Sequence, residues 1–353
     1  MIRSRVCDIS GAHDTGRDGA GFLCRRAILR PLAGPEILFA MHSASTSAAV
    51  EEAPAASERA GLPPDVSAPL ALVERAIASY LHSRALPPNL LAAIEYALLG
   101  GGKRLRPLLV LHSCRAAGGD FDRAVPAAAA VEMIHAFSLV HDDLPALDND
   151  DLRRGLPTVH KAHGEAMAIL VGDGLMSLAF QLLAHAVPDP ALSGALMREL
   201  AEGTTDMISG QVLDTLGGFV PAEPPEQRLS RTHRLKTGAL IRASCRLGAV
   251  SALGSARQSS PLSAVTAYGE AVGLMFQVVD DLLDVEQSTE HTGKRTAKDA
   301  GAGKLTYPAV LGAERSRAEI ERLVTAAHEA IRPLGAPAGA LGAIADYLAV
   351  RTR

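Results

Sequence analysis

Two short stretches of the chain concentrate carboxylates beside apolar sequence. The stretch HDDLPALDNDDLRRG, at residues 141–155, contains Asp142, Asp143, Asp148, Asp150 and Asp151. The stretch FQVVDDLLDVE, at residues 276–286, contains Asp280, Asp281 and Asp284. Hard cations such as Mg²⁺ bind carboxylate oxygens and take water or phosphate oxygens as their remaining ligands. Two such clusters favour a shared Mg²⁺ site that recruits a polyphosphate, with a pair of solvated helix ends as the alternative.

Helical spacing explains how the first cluster can act as a unit. His135, Ser138 and Asp142 are separated by steps of three and four, so they lie on one stripe of a helix. Pro145 interrupts regular helix after them. We therefore expect the chain to turn at Pro145 and to bring Asp148 back toward Asp142.

A glycine-rich basic stretch is the counterpart of the carboxylates. GGGKRLRP, at residues 100–107, places Lys103 and Arg106 after three glycines and beside a proline suited to a helix start. Glycine lets backbone N–H groups approach an anion, and lysine and arginine add charge and hydrogen bonds. It is not a Walker loop, because Ala97 stands where the first glycine of that loop should be. The stretch favours a phosphate site, with a helix C-cap and a solvated basic turn as the alternative.

Apolar residues recur at helical spacing through most of the chain beyond residue 69. The first such set is Leu70, Val73, Ile77 and Tyr80. Further apolar helical stretches cover approximately residues 90–98, 107–117, 125–143, 163–186, 193–216, 227–252, 261–287, 305–331 and 338–351. Strand alternation is scarce, so we expect an all-α fold, a large helical bundle in one domain.

Composition argues against several classes of protein. The 353 residues are 48% hydrophobic and 21% charged, which is typical of a soluble globular chain. A net charge of −4 and an aromatic content of 3% without tryptophan argue against a nucleic-acid partner. Four scattered cysteines without a CxxC pair indicate a reducing compartment and no zinc site. No run of about 18 apolar residues is present, so we expect no membrane span.

The N-terminal part of the chain differs from the rest. Residues 1–66 are rich in Ala, Gly, Pro, Ser and Arg and lack a sustained helical period. We predict a mostly disordered extension over residues 1–66 and a globular domain over residues 67–353. No apolar signal-peptide segment follows the early arginines, so we expect a cytoplasmic protein. Translation from Met41 and an organelle transit peptide are alternatives, although Asp8 and Asp14 are unusual in a transit peptide.

Six motifs carry a resemblance to a known family. From about residue 70 to residue 350 the chain contains, in order, GGKRLRP, DDLPALDNDDLRRG, GQVLD, HRLKTGALIRA, FQVVDDLLD and GKLTYPA. In this order they resemble the trans-isoprenyl diphosphate synthases, and most closely the bacterial farnesyl diphosphate synthase group. The resemblance implies an all-α bundle around a deep cavity, usually in a homodimer. It also implies Mg²⁺-dependent condensation of isopentenyl diphosphate with dimethylallyl and geranyl diphosphate to give farnesyl diphosphate.

The resemblance implies roles for individual residues. About three Mg²⁺ ions on the allylic diphosphate would be held by Asp142, Asp143, Asp148, Asp280, Asp281 and Asp284. That diphosphate would also be contacted by Arg153, Lys236, Lys294 and Lys304. The polar groups beside the allylic carbon would be Thr237 and Gln277, which would act in catalysis with Lys236. A polar pair near the metals would be Gln211 and Asp214. The pocket for isopentenyl diphosphate would be formed by Lys103, Arg106, His135 and Arg154.

Product length would be decided beside the helix that carries Asp142. Phe137 lies five residues earlier, and at roughly 1.5 Å rise per residue this is about 7.5 Å deeper. We predict that its bulk forms the floor of the cavity, with the small Ser138 leaving room above it. The resemblance supports this prediction, since an aromatic residue here is typical of the farnesyl type. The alternative is that Phe137 packs in the core, because by helix angle it lies off the Asp142 stripe.

Three other functions are alternatives. A geranylgeranyl diphosphate synthase of the same family would differ in the depth of the cavity. A class I terpene cyclase would need a second metal motif with Asn, Ser or Thr and Glu, where this chain has DDLLD at residues 280–284. A non-catalytic partner subunit should lack part of one aspartate motif, and both motifs are intact here.

Overall fold

A computed structural model describes residues 62–254, 259–290 and 306–351, without the side chains of residues 286–290. The helices in chain order are α1 (Pro64–Ser67), α2 (Leu70–His82), α3 (Pro88–Leu99), α4 (Leu105–Ala116), α5 (Phe121–Asp142), α6 (Val159–His163), α7 (Glu165–Ala186), α8 (Pro190–Thr215), α9 (Pro225–His233), α10 (Ala239–Leu253), α11 (Ser260–Glu290), α12 (Tyr307–Leu311), α13 (Ala313–Ile331) and α14 (Gly339–Val350). The other elements are a π-helical turn (Arg234–Gly238), two 3₁₀ turns (Arg332–Leu334 and Ala336–Ala338) and a hairpin of β1 (Leu152–Arg153) and β2 (Leu156–Pro157). The expected all-α fold is confirmed.

Helix α5 lies at the centre of the bundle and packs against α4, α7 and α10. Its middle, Ala127–Val131, is completely buried, and so is the run Leu108–Leu111 on α4. Burial on every face explains why these helices are apolar all round rather than along one stripe. The first aspartate cluster therefore begins at the end of a helix whose middle is completely buried, which is a suitable support for a site.

Helix α11, which carries the second cluster, is anchored by its own contacts with α10 and α13. The side chain of Tyr268 is completely buried, and its hydroxyl donates a hydrogen bond of 2.7 Å to the carbonyl oxygen of Leu341. This bond joins α11 to α14 and satisfies a hydroxyl that would otherwise be costly to bury.

Two of the expected helices are divided in the structure. The predicted helix over 227–252 contains the π-helical turn Arg234–Gly238 between α9 and α10. The described part of the predicted helix over 305–331 is divided at Gly312, whose φ of +82° is tolerated by glycine and ends α12. The first prediction missed the break because the π-helical turn keeps the chain helical, whereas Gly312 was a visible helix-stop signal that the second prediction passed over.

The packed bundle begins a few residues before the expected domain boundary. Val66 is buried, and its carbonyl oxygen lies 2.8 Å from Nε2 of the buried His112 on α4. Val66, which was expected in the extension, is therefore packed against the helical bundle, and the domain boundary at residue 66 stays a prediction. Residues 1–61 lie outside the described part of the chain.

Length and composition would allow three of the described helices to cross a membrane, contrary to the expectation from the sequence. The apolar windows of α5 and α11 are 72% and 61% buried inside the bundle, so contacts within the protein account for most of their hydropathy. The window of α7 is only 44% buried. More than half of this window therefore faces away from the bundle interior.

Candidate active site

The first aspartate cluster forms where α5 ends. Beyond Asp142 the chain turns at Pro145, and the N–H of Asp148 donates a hydrogen bond of 2.9 Å to the backbone oxygen of Asp142. Burial raises the pKa of Asp142 to about 6; Lys236 opposes this shift and Asp148 adds to it. The expected return of Asp148 toward Asp142 is thus present, and the two carboxylates repel one another electrostatically.

Asp143, the second member of the first doublet, points into the protein. Both of its carboxylate oxygens are engaged by Arg153, with Nε 2.8 Å from Oδ2 and Nη2 2.6 Å from Oδ1. Only 2% of Asp143 is exposed. Such a two-point ion pair fixes the plane of the guanidinium. In this arrangement Asp143 orients Arg153, and its role as a metal ligand stays a prediction.

The second aspartate cluster lies on α11. Burial raises the pKa of Asp280 to about 6; Arg351 opposes the shift, and Asp284 adds to it. Lys103, from the glycine-rich stretch, also favours the charged form of Asp280. The fold has therefore brought the basic stretch near the second cluster, although about 180 residues separate them in sequence.

Asp281 is the buried member of the second doublet. One oxygen accepts a hydrogen bond of 3.0 Å from Gln277, and the other accepts one of 2.9 Å from the backbone N–H of Tyr307. Nε2 of His233 lies 3.3 Å from the same carboxylate, and the His233 ring stacks on that of Tyr307. The hydroxyl of Thr237 donates to Gln277 at 3.0 Å. A series of hydrogen bonds thus connects the π-helical turn, α11 and α12.

The π-helical turn presents Lys236 toward α8. Its Nζ lies 2.6 Å from Oδ2 of Asp214. A Cβ on Gly210 would lie 2.0 Å from the backbone nitrogen of Lys236, so only glycine permits this approach of the two backbones. Gln211 donates to Thr215 at 3.3 Å, while its Oε1 is buried without a hydrogen-bond partner among the described residues. Extra helical turns of this kind are common at functional sites.

Several arginines surround His135 on α5. Burial lowers the pKa of His135 well below its ordinary value, and Arg106, Arg154, Arg153 and Arg104 lower it further. Burial likewise lowers the pKa of Arg106 to about 10, and its buried Nε has no hydrogen-bond partner among the described residues. Cations that repel one another around a buried donor favour binding of an anion such as a diphosphate.

Backbone geometry fixes the position of Arg154 in this cluster of cations. Arg154 has a φ of +54° and donates a hydrogen bond to the carbonyl oxygen of Gly101. Gly102 has a φ of +118°, and a Cβ there would lie on the Arg154 guanidinium. The second and third glycines of the basic stretch are thus needed for a left-handed backbone and for this contact.

Arg104 has a different role from its basic neighbours. Its side chain turns inward, where Nη1 lies 2.7 Å from Oε1 of the buried Glu132 and Nη2 donates at 2.6 Å to the carbonyl oxygen of Leu98. The latter bond satisfies a carbonyl at the C-terminal end of α3. Arg104 therefore holds the basic stretch in place, whereas Lys103 acts electrostatically on Asp280 and Arg106 on His135.

Phe137 and Ser138 lie one turn deeper along α5. Phe137 is buried, and Ser138 is half-buried with its hydroxyl donating 2.9 Å to the backbone oxygen of His135. The Phe137 ring meets the ring of His141 edge to face, with centroids 5.6 Å apart. Sequence reasoning missed His141, whose position next to Asp142 was the only signal of a role.

Two of the predicted basic residues, Lys294 and Lys304, lie outside the described residues. Among the residues that are described, no three His, Cys, Asp or Glu side chains converge as a ready-made metal site. The donor set nevertheless fits Mg²⁺, since each cluster holds one carboxylate whose pKa is raised by desolvation, Asp142 in the first and Asp280 in the second, and phosphate oxygens commonly complete the shell of this ion.

Most of the chain matches a known protein family. The model of the polyprenyl synthetase family matches residues 87–332. Farnesyl diphosphate synthase of Escherichia coli (strain K12) is 46% identical over 271 residues, which are 74% of this chain and 88% of that protein. Geranylgeranyl pyrophosphate synthase 11, chloroplastic, of Arabidopsis thaliana is 43% identical over 272 residues, 75% of each chain.

Solved structures agree with the sequence relatives. An FPP/GFPP synthase from Zymomonas mobilis, in its apo structure, has a TM-score of 0.69 and 35% identity over 81% of this chain and 98% of that chain. The protein therefore belongs to the polyprenyl synthetase family. It is a prenyltransferase of isoprenoid biosynthesis, which confirms the resemblance drawn from the six motifs.

Proposed function

We propose that this prenyltransferase is a Mg²⁺-dependent farnesyl diphosphate synthase. The observation that carries the proposal is the meeting of the two aspartate clusters with cations from distant parts of the chain. Lys236 acts electrostatically on Asp142, and Lys103 acts on Asp280. Such an arrangement suits a substrate that must lose a diphosphate.

The carboxylates divide into two groups in this proposal. The ions would be held by Asp142, Asp148, Asp280 and Asp284. Asp143 and Asp281, which are buried against protein donors, would instead keep the surrounding groups in place. When bound, Mg²⁺ supplies Lewis-acid neutralisation of the leaving diphosphate.

The basic residues would bind the two diphosphates. Arg153 and Lys236 would stabilise the negative charge that grows as the allylic C–O bond breaks, with Lys294 and Lys304 assisting. Isopentenyl diphosphate would be held by Lys103, Arg106, His135 and Arg154. A neutral His135 suits this pocket, since its pKa is lowered, and it would donate one N–H to a phosphate oxygen.

The carbon–carbon bond would form between the two bound substrates. The double bond of isopentenyl diphosphate attacks the allylic cation, and a proton then leaves to the released diphosphate, so no dedicated side-chain base is required. Thr237 and Gln277, held together by their hydrogen bond, would present their oxygens near the cation. The apolar wall of the cavity would exclude water that could quench the cation.

The product would be farnesyl diphosphate, because the buried ring of Phe137 lies one turn below Asp142 and would stop the growing chain. Geranylgeranyl diphosphate is the second candidate, since plant geranylgeranyl pyrophosphate synthases are about as similar to the chain as the farnesyl enzyme of E. coli. Product analysis of the purified protein with dimethylallyl and isopentenyl diphosphate decides between them. Farnesyl diphosphate from the wild type and longer products from Phe137→Ala are expected, and a wild type that makes mainly geranylgeranyl diphosphate would overturn the assignment.

The exposed apolar face of α7 and α8 would be the homodimer interface. Ile169 and Leu170 on α7 are exposed, and so are Ile208 and Val212, four residues apart on α8, and Leu216 directly after the end of α8. A second copy would cover this face in place of a membrane. Light scattering should find a dimer for the wild type and a monomer for Ile208→Glu/Val212→Glu, whereas Val350→Glu, at an exposed apolar residue on α14, should stay dimeric.

The protein would be cytoplasmic, because no apolar signal-peptide segment follows the early arginines of the sequence. The segment that would contain a targeting signal lies outside the described residues. N-terminal sequencing of the native protein tests it. A mature chain that begins near residue 60 in an organelle would replace this location with the transit-peptide alternative.

A further inference from the structure

We propose that His141 is a positioning residue for Phe137, and that Gly172 is glycine because it makes room for the His141 ring. Together they would decide how far the product can grow. This inference rests on the proposed function of Phe137 as the floor of the cavity. The resemblance gave neither His141 nor Gly172 a role in product length.

The contact between His141 and Phe137 follows from helical geometry. The two residues are four apart on α5, so their side chains are neighbours on one face. Their ring centroids are 5.6 Å apart and the ring planes are inclined by 89°. An edge-to-face contact of this kind prefers one orientation of the pair, and it restricts rotation of the Phe137 ring.

His141 is held in turn by α7. Its Nε2 lies 3.1 Å from the carbonyl oxygen of Ile169, which accepts the hydrogen bond from the ring N–H. Helices α5 and α7 form one of the most extensive contacts in the bundle. The orientation of the imidazole is therefore set by a helix other than its own.

Gly172 explains how the imidazole fits between the helices. A Cβ on this residue would lie 2.0 Å from Nε2 of His141 and 2.3 Å from its Cδ2. Gly172 lies within α7 and has ordinary helical backbone, where glycine is a poor helix former, so conformation does not require it. The space that the ring of His141 fills does require it.

Loss of either residue should loosen the floor. Without the imidazole, the Phe137 ring gains space on its His141 side and can turn away from the growing chain. An alanine at 172 would displace the imidazole from α7 and break its hydrogen bond to Ile169, with the same consequence. His141 precedes Asp142 directly, so the pair also couples the metal end of α5 to the floor one turn below.

The test compares product length in matched variants of the full chain. His141→Ala and Gly172→Ala should each shift products from farnesyl toward geranylgeranyl diphosphate, and His141→Ala/Gly172→Ala should match His141→Ala alone. Gly174→Ala is the control on the same helix, since a Cβ there would lie 3.6 Å from Ile94, an ordinary contact. It should keep the wild-type products. The KM for isopentenyl diphosphate should change by less than about twofold in His141→Ala, as expected for a residue that does not bind this substrate.

Further outcomes separate the inference from the function on which it rests. If Phe137→Ala lengthens the product but His141→Ala does not, Phe137 is the floor and His141 does not position it. If neither variant changes product length, the proposed floor itself is wrong. If Gly172→Ala has the same effect with and without His141, glycine 172 acts by another route. Should Gly172→Ala fail to fold, the double variant, in which the clashing ring is absent, still tests the contact.

Discussion

The guanidinium of Arg351 donates a hydrogen bond to the carboxylate of Asp280, which lies 71 residues earlier in the chain. Arg351 also lies over the ring of Phe276, 3.8 Å from its centroid, and donates to the Phe276 backbone oxygen at 2.9 Å. The buried guanidinium of Arg351, at the end of the described part of the chain, thus pairs with Asp280, the first carboxylate of the second cluster. That carboxylate is a proposed ligand of Mg²⁺, so the guanidinium and the metal would compete for it.

Replacing Arg351 with glutamine should therefore lower the Mg²⁺ concentration for half-maximal activity at about pH 8, where Asp280 is ionised. The same change should reduce the free energy of unfolding by about 1–2 kcal/mol, because a cation–π contact and an ion pair are lost, and the ion pair is partly screened by water on its Asp280 side. Magnesium titrations of activity and urea denaturation measure the two effects. Arg332→Gln, at an exposed position after α13, is the control. A higher magnesium requirement in Arg351→Gln would contradict competition.

Asp142→Asn and Asp280→Asn should each lower turnover about 10²-fold or more, because the leaving diphosphate would lose metal-based charge stabilisation. Steady-state kinetics at saturating Mg²⁺ measure the effect, and circular dichroism verifies the helical fold. Asp122→Asn changes an exposed aspartate at the other end of α5 and should leave turnover unchanged. Turnover close to wild type in either cluster variant would exclude the proposed metal ligands.

Arg104→Ala should destabilise the protein by about 3–5 kcal/mol, because it leaves the buried carboxylate of Glu132 without its cation. The exposed pair of Arg115 and Asp120 has a similar length of 3.2 Å, and Arg115→Ala should cost less than about 1 kcal/mol. Urea denaturation of both variants makes the comparison. Equal losses of stability in the two variants would mean that the buried side chain of Arg104 does not anchor the basic stretch.

The free energy of unfolding should fall as the pH drops below about 6.5, in part through His112. Burial lowers the pKa of this histidine from its ordinary value of 6.5, so the unfolded chain takes up the proton first. Stability contributed by the neutral ring is complete above that value and is lost on acidification, by up to about 1.4 kcal/mol per pH unit.

A comparison of wild type with His112→Gln isolates this contribution from other titrating groups. Urea denaturation at about pH 7.5 and about pH 5.5 should show the wild type losing more stability than the variant. The free energy of unfolding of the wild type should therefore exceed that of the variant by more at the higher pH than at the lower pH. A difference between the two proteins that is the same at both pH values would show that His112 does not titrate in this way.

The sequence by itself determined the fold class and the two aspartate clusters. Helical spacing is a local property that repeats every three or four residues, so α5 and α11 could be recognised as apolar helices without knowing their partners. Pro145 acts locally as well, and the turn that returns Asp148 toward Asp142 was predictable from it. Six motifs in order were enough to recognise the family, which the comparisons confirm.

Only the tertiary structure decided what each charged residue contacts. Within each doublet the two aspartates look alike in sequence, yet Asp143 is paired with Arg153 and Asp281 accepts the N–H of Tyr307. Arg104 stands between Lys103 and Arg106 in sequence but pairs with Glu132 inside the bundle. Long-range partners depend on which faces of packed helices meet, and helix periodicity carries no information about that choice. The approach of Arg351 to Asp280 and of His141 to Gly172 was hidden for the same reason.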